Sequence, residues 1–374
     1  MRKSRFRVVI AGGGVAGLET LRALHGLTGG RAELTLVAPQ DEFVYGLLGA
    51  EEPFEAGPVR RVSLDAAARD AGAAFIAGTV DMVDPTGKAL TTLGGDRLPY
   101  DALVLAVGAE PKPAVEHATA WDDRSGSESV SGLLRDFEQG HGRSLAVVIP
   151  AGPGWPLRGY ELALSITHQT KSMGIDLEAT VVVQEPSPLW VLGSRTVNAL
   201  SSELARAEVA VVSASRVQVE VGPPITVVAH PSDSRVEVDR VLALPTLHGR
   251  RIRGLPTDVG GFIEVDDHGR VRGLDGLWAA GDGTAFPVKS GGFAAEQADV
   301  VAHNIAAAAG ADIEPRRFDP VLRPYLAGLP SGGFLEAWLA TGDDAGLTTQ
   351  LPSRRLPLLT YLQRGSAAGS RGDD

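Results

Sequence analysis

The sequence predicts an α/β protein containing two doubly wound units, each a parallel sheet flanked by helices. An apolar strand, a glycine-rich turn, a helix and a second strand follow one another within residues 6–38. The same order recurs between residues 145 and 184. Alternation of this kind is typical of parallel sheets with crossover helices. The length of 374 residues accommodates two or three domains.

The first unit follows from hydrophobic periodicity. Residues 6–11 are a short run rich in Val, as expected of a strand buried on both faces. Helical spacing occupies residues 18–25 and should end at Gly29 and Gly30. Residues 33–38 predict the next strand, which completes one βαβ unit.

The second unit repeats this layout. Strands are predicted over 145–150, 179–184 and 209–212, and helices over 160–171 and 200–208.

Other elements lie around these units. Residues 101–107 predict a buried strand, and the polar stretch 122–131 is interpreted as a surface crossing. Residues 276–280 predict a strand and 291–309 a long helix rich in Ala. The segment 315–374 is rich in Pro, Gly and Ser, and we expect its end to be disordered.

Composition excludes several chemistries. The chain has no Cys, so disulfides, Cys-ligated metals and thiolate nucleophiles are excluded. The eight His residues show no metal-binding spacing, and no metal site is predicted. The net charge of −11 argues against nucleic acid or anionic lipid as a partner. No signal peptide or membrane-spanning run is recognised, so a cytoplasmic location with at most peripheral membrane contact is expected.

The first turn carries a GxGxxG motif formed by Gly12, Gly14 and Gly17. The first glycine allows a tight bend, the second lets backbone approach a pyrophosphate, and the third lets the helix pack closely on the strand. The phosphates would lie at the helix N-terminus, where free N–H groups favour an anion. The position between a strand and a helix strengthens a motif that is weak alone, and it indicates a Rossmann-like dinucleotide site.

The acidic residue that usually binds ribose is missing from the end of the second strand. Ala38 stands there, and Gln40, Asp41 and Glu42 are the alternatives that follow it.

Two later motifs identify a family resemblance. They are YDALVLAVGA at 100–109, and LWAAGD at 277–282 followed by PVKSGGFAAEQA at 287–298. With the first turn, they resemble the two-dinucleotide-binding-domain flavoproteins of the pyridine nucleotide–disulfide reductase superfamily. The sequence is most similar to the branch of sulfide:quinone reductases and type II NADH dehydrogenases, over roughly residues 5–310.

The resemblance implies an FAD-binding domain split around the second unit. The expected boundaries are 1–112 and 246–314 for the FAD domain, 113–245 for the second unit, and 315–374 for a small C-terminal segment.

The resemblance also implies FAD as cofactor, with Gly108 at the domain crossover and Asp282 on the ribityl chain. A carboxylate, which only accepts hydrogen bonds, suits such a polyol. The helix opening near residue 291 would direct its N-terminus at the N1/C2=O edge of the flavin. The expected FAD-binding residues are Gly12, Gly14, Val15, Ala16, Gly17, Gln40, Val80, Gly108, Gly281, Asp282, Gly291, Gly292 and Phe293.

Lys289 and Trp155 are the catalytic candidates. Lys289 would add positive charge at the flavin edge, and the alternative is a solvated lysine. Trp155 would line the open face of the flavin, and the alternative is ordinary packing.

The second unit departs from the family pattern. Gly152 and Gly154 are retained, but Leu157 takes the third glycine position, and two prolines in the loop remove N–H donors. Two interpretations stay open: a modified nicotinamide or substrate loop, and a purely structural unit. The candidate nicotinamide or substrate residues are Gly152, Gly154, Glu161 and Glu185.

Together these features predict an FAD-dependent oxidoreductase that transfers electrons from NAD(P)H to a quinone-like small acceptor. Cysteine-based sulfur chemistry is excluded, so the flavin itself must carry the reaction. The alternatives are a flavin oxidase or dehydrogenase acting directly on an organic substrate, and a non-enzymatic redox sensor. A homodimer is one of the assemblies left open. The apolar stretch 354–364, flanked by arginines, would either contact a membrane surface or pack on the protein.

Overall fold

The structure is a computed structural model that describes residues 5–44, 61–121, 126–185, 194–214, 216–322 and 337–338. The helices are α1 (Val15–Thr28), α2 (Leu64–Asp70), α3 (Gly126–Glu138), α4 (Leu157–Ser172), α5 (Ser194–Arg206) and α6 (Gly291–Ala308).

The strands are β1 (Phe6–Ala11), β2 (Ala32–Ala38), β3 (Glu42–Val44), β4 (Arg61–Ser63), β5 (Ala74–Ala77), β6 (Val80–Asp84), β7 (Ala89–Thr92), β8 (Arg97–Pro99), β9 (Ala102–Leu105), β10 (Ala109–Lys112), β11 (Thr119–Ala120), β12 (Ser144–Ile149), β13 (Glu178–Val183), β14 (Ala210–Ser213), β15 (Arg216–Glu220), β16 (Ile225–His230), β17 (Ser234–Val238), β18 (Arg240–Ala243), β19 (Thr246–Gly249), β20 (Leu277–Ala279), β21 (Val321–Leu322) and β22 (Ala337–Trp338).

The first unit is built on a parallel sheet of order β20-β9-β1-β2-β5. Its central strand β1 has the predicted bounds and is buried from Val8 to Ala11. Helices α1 and α6 pack on the same face through residues such as Leu21 and Val301. The carboxyl ends of β1, β2 and β5 therefore meet at one edge, which is where ligands bind in open α/β sheets.

The second unit is also a parallel sheet, of order β11-β18-β12-β13-β14. Helices α3, α4 and α5 contribute to its core through Phe137, Tyr160 and Leu204. The prediction of two doubly wound units is confirmed.

The first unit is split, as the family resemblance implied. Its sheet contains β9, which precedes the second unit in the chain, and β20, which follows it. The two crossings between the units pair as an antiparallel ribbon of β10 and β19.

Two sequence predictions are corrected, and two antiparallel sheets come in addition. The stretch 122–131 is not merely a surface crossing, because α3 begins at Gly126 and buries Val130 and Leu134 at helical spacing. Helix α4 begins at Leu157, three residues earlier than predicted, because the fixed φ of Pro156 suits the N-cap position, where it is −60°. The antiparallel sheets β6-β7-β8 and β15-β16-β17 were not predicted. The stretch 354–364 and the chain end lie outside the described residues.

Among the described residues, no helix combines the length and the apolar character needed to span a bilayer. In the same part of the chain no three His, Asp or Glu side chains are grouped as metal ligands.

Candidate active site

The first glycine turn can be formed only by glycine at two positions. Gly12 has φ of 123°, and a Cβ there would lie 2.0 Å from the carbonyl oxygen of Ala106. A Cβ on Gly17 would lie 1.8 Å from the carbonyl oxygen of Gly12. Both contacts are with backbone, so these glycines are required for the strand, turn and helix to pack.

Gly14 serves a different purpose. A Cβ on Gly14 would have no atom of the described residues within 4 Å, so it would point into open space. Gly14 is also the N-cap of α1, and the N–H groups of Val15, Ala16 and Gly17 have no hydrogen-bond partner in the described part of the chain. The first turn of α1 contains no acidic residue. This end of α1 can therefore bind an anion.

The Gly281–Asp282 turn packs directly against that helix end. Gly281 has φ of 82°, and a Cβ there would lie 2.9 Å from the Cβ of Ala16. Its N–H donates to Oε1 of Gln297 at 2.7 Å, and its carbonyl accepts from Oγ1 of Thr284 at 2.9 Å. Asp282, half-buried, is thus fixed beside the anion-binding end of α1.

Sequence reasoning missed Gln297 and Thr284, although both are buried polar residues that hold the turn. Gln297 lies within the motif at 287–298, two turns into α6. Its partner, the N–H of Gly281, is too far away in the sequence for the motif to indicate the contact.

The remaining predicted cofactor residues lie around this edge. Gly108 has φ of 67° and neighbours the acidic turn, since a Cβ on Gly283 would lie 3.2 Å from its carbonyl oxygen. Gly291, Gly292 and Phe293 form the first turn of α6, which Ser290 caps by accepting from the Phe293 N–H at 3.3 Å.

Gln40 is exposed two residues beyond the end of β2, and Val80 begins β6, three residues beyond the end of β5. Because Ala38 pairs with Ala77, the two lie beyond the ends of neighbouring strands.

Lys289 is buried, with 4% of its surface exposed, so the alternative of a solvated lysine is wrong. Its Nζ donates to the carbonyl of Thr284 at 2.5 Å and lies 4.1 Å from the ring centroid of Phe262. Burial lowers the pKa of Lys289 from 10.5 to about 8, while the nearby carboxylates of Asp282 and Asp258 act in the opposite direction. Lys289 is therefore a titratable group beside the acidic turn.

Several backbone N–H groups in and next to the loop of the second unit are already engaged. The N–H of Gly154 donates to the carbonyl of Pro287 at 3.0 Å, and that of Ala151 donates to Oε1 of Gln184 at 3.1 Å. The N–H groups of Arg158 and Gly159 are engaged by carbonyls of the loop itself, each at 3.1 Å.

The third-glycine position was assigned wrongly. A Cβ on Gly159 would lie 2.4 Å from Cγ1 of Ile149, so Gly159 allows helix α4 to approach strand β12. Leu157 is instead a fully buried core residue. The loop is two residues longer than the motif, and Gly159 could have been found by allowing for that insertion.

Arg158 and Glu161 form a buried ion pair at the start of α4, with 2.9 Å between Nη1 and Oε2. The guanidinium also lies 5.5 Å from the ring centroid of Trp121. Glu185 lies half-buried two residues beyond β13. Trp155 is half-buried and packs against the core of the second unit.

A split parallel sheet with an anion-binding first turn, an acidic turn after its last strand and a second α/β unit beside it defines a dinucleotide-binding flavoprotein. The family model described as pyridine nucleotide-disulphide oxidoreductase matches residues 6–309. The chain belongs to this family and is an FAD-dependent oxidoreductase.

Comparison with known proteins agrees. The chain is 27% identical over 422 residues to the alternative NAD(P)H-ubiquinone oxidoreductase C1, chloroplastic/mitochondrial, of Arabidopsis thaliana, covering 96% of this chain and 78% of that protein. The sulfide:quinone oxidoreductase of Aquifex aeolicus shares the fold with a TM-score of 0.75 and 18% identity, covering 86% and 81% of the two chains. An NAD-dependent persulfide reductase of A. fulgidus does so with a TM-score of 0.61 and 20% identity, covering 85% and 62%.

The residues fit the FAD that the family implies. The open space at Gly14 and the N–H groups of α1 suit a pyrophosphate, and the carboxylate of Asp282 suits a polyol.

Proposed function

We propose that the protein transfers electrons from NAD(P)H to a quinone-like small acceptor through its bound FAD. The observation that carries this proposal is the direct contact between the loop of the second unit and residues 287–289, beside the acidic turn of the FAD domain. A ligand held by that loop would therefore lie close to the flavin edge. The Arabidopsis relative is an NAD(P)H-ubiquinone oxidoreductase and the Aquifex protein a sulfide:quinone oxidoreductase, which supports these donor and acceptor classes.

Different residues of the chain would bind different parts of FAD. The end of α1 would hold the pyrophosphate of FAD, and Asp282 would accept hydrogen bonds from the ribityl hydroxyls. The N-terminus of α6 and the ammonium of Lys289 would provide positive potential at the edge where negative charge develops. Bound flavin supplies the chemistry, namely hydride acceptance and onward electron transfer.

We expect nicotinamide binding to be weak. Pro153 and Pro156 have no N–H to donate, and the N–H of Gly154 is already engaged. The N–H groups of Gly152, Trp155 and Leu157, which have no partner in the described part of the chain, are the loop donors that remain for a pyrophosphate. Saturation should therefore require high micromolar to millimolar NAD(P)H, the weak end of the usual range of about 1 μM to 1 mM.

The engaged N–H of Gly154 also favours a second candidate function, that of a flavin enzyme that oxidises an organic substrate directly. In that case the bridged loop and the buried pair of Arg158 and Glu161 would be structural or would face the substrate.

Anaerobic rapid mixing separates the two. NADH or NADPH should bleach the oxidised-flavin absorbance of the wild type within seconds. Gly154→Ala adds a methyl group to open space on the loop and should slow that reduction, while photochemical reduction of the same variant is unaffected. Flavin that stays oxidised for minutes in millimolar NADH and NADPH would show that the donor is not a nicotinamide. The second candidate function, direct oxidation of an organic substrate, would then be preferred.

We further propose a cytoplasmic protein with no more than peripheral membrane contact, and a homodimer is one assembly to be tested. Flotation with neutral vesicles and sedimentation velocity measure both. Tight vesicle binding that is lost on deletion from residue 353 would establish an anchor instead.

A further inference from the structure

We propose that Gly154 is a positioning residue for Lys289, because a backbone bridge from the second unit fixes the lysine at the edge of the flavin site. The inference deepens the proposed function and relies on it for the location of that edge.

The bridge consists of two hydrogen bonds across the boundary between the units. Gly154 donates its N–H to the carbonyl of Pro287 at 3.0 Å and accepts from the N–H of Lys289 at 2.9 Å. The pattern is that of a one-residue parallel β-bridge between Gly154 and Val288. Neither strand of this bridge belongs to a longer sheet, so no neighbouring ladder bonds would hold the register if it opened.

Side-chain packing continues the bridge. Val288 is buried in the core of the second unit together with Leu157 and Leu244, although it belongs to the chain segment of the FAD domain. Phe293, in the first turn of α6, is buried in the same cluster. The first turn of α6, which should lie at the flavin edge, therefore packs against the core of the second unit.

Lys289 has few other bonds that could set its position. Its backbone N–H is used by the bridge, and its Nζ donates to the carbonyl of Thr284. Regular structure resumes only at α6, after Ser290. Opening the bridge should therefore let the lysine move toward solvent.

Such a movement changes the chemistry of the lysine. With the bridge closed, the Nζ of Lys289 lies over the face of the Phe262 ring. The charged groups that act on this Nζ are the carboxylates of Asp282 and Asp258. Burial lowers the pKa of Lys289, so exposure should raise the pKa toward the ordinary lysine value. The bridge would in this way decide whether the amine of Lys289 stays at the flavin edge or moves into solvent.

Two substitutions at one position isolate the backbone bond. Gly154→Pro removes the N–H that donates to Pro287, whereas Gly154→Ala keeps it and adds only a methyl group to open space. Gly154 does not require the left-handed conformation, so alanine introduces no backbone strain.

The readout is the pH midpoint of Lys289 acylation in the FAD-loaded protein. It is measured with acetic anhydride and peptide mass spectrometry between pH 6 and 10.5, with exposed Lys171 as the internal standard. The wild type and Gly154→Ala should share a midpoint that lies below the usual lysine value, because Lys289 is buried in both. Gly154→Pro should raise it by about one unit or more, toward the usual lysine value of about 10.4. A Gly154→Pro protein that is folded and keeps the wild-type midpoint would overturn the proposal, as would an equal shift in both variants.

Hydrogen exchange tests the bridge without any substitution. In the wild-type holoenzyme the amides of Gly154 and Lys289 should exchange at similar rates. Both should exchange much more slowly than the amide of Gly152, which has no hydrogen-bond partner among the described residues. A Lys289 amide that exchanges as fast as that of Gly152 would rule the bridge out. Neither measurement needs a nicotinamide, so failure of NAD(P)H to reduce the flavin would overturn the proposed donor and leave these results standing.

Discussion

Gly14→Val should yield a folded protein that has lost its FAD. A side chain at residue 14 meets no atom of the described residues within 4 Å, and the backbone there has φ of −84° and ψ of −168°, which a β-branched residue adopts without strain. The valine would occupy the space beside the free N–H groups of α1, where the pyrophosphate should bind.

The magnitude follows from the hydrogen bonds lost. A hydrogen bond to a charged group contributes about 1.5 to 3 kcal/mol, so losing two phosphate contacts weakens FAD by about 3 to 6 kcal/mol. At about 1.4 kcal/mol per tenfold change, that is roughly a 10²- to 10⁴-fold increase in Kd. Fluorescence titration of the flavin-stripped protein with FAD measures the change, and circular dichroism reports the fold.

Matched controls come from the same helix. Gly26→Val makes the same substitution in α1 at an exposed position with open space around it, and it should keep wild-type FAD affinity. Gly17→Ala should instead impair folding, because its Cβ would lie 1.8 Å from a backbone carbonyl. Full FAD content in Gly14→Val would show that the pyrophosphate does not lie at the end of α1.

Two further predictions concern the acidic turn and the buried lysine. Asp282→Ala should weaken FAD binding by about 1 to 3 kcal/mol, since acceptors for the ribityl chain are lost; Asp282→Asn, which keeps one acceptor, should lose less, and an unchanged Kd in both would exclude a ribityl contact. Lys289→Met should raise the Tm of the flavin-stripped protein most at low pH. The folded-state pKa of Lys289, about 8, lies below its ordinary value of 10.5, so the cost of burying the charge is fully present below about pH 8 and is relieved as pH rises toward 10.5. This cost is about 3 kcal/mol, and a Tm difference that stays constant from pH 7 to 10.5 would contradict it.

Elements with local signals could be predicted from the sequence. Strand β1 was predicted with its observed bounds, and the end of α1 at Gly29 followed from glycine at the C-cap. Gly12 and Gly17 could be assigned because a strand, a tight turn and a helix adjacent in sequence leave one way to pack. The polar composition of the stretch at 122–131 concealed α3, whose first buried apolar side chain among the described residues is Val130.

The way in which the second unit meets the expected flavin edge became apparent from the folded structure alone. The spacing to Leu157 suggested a third glycine position, but contact with Ile149 shows that Gly159 fills it. Lys289 was compatible with a solvated side chain until its segment was seen to pair with Gly154 from the other unit. These facts depend on hydrogen bonds and packing between residues more than 100 positions apart, or on a loop two residues longer than its motif. Local periodicity carries no information about such contacts, because the energy that favours them exists only once both sheets have formed.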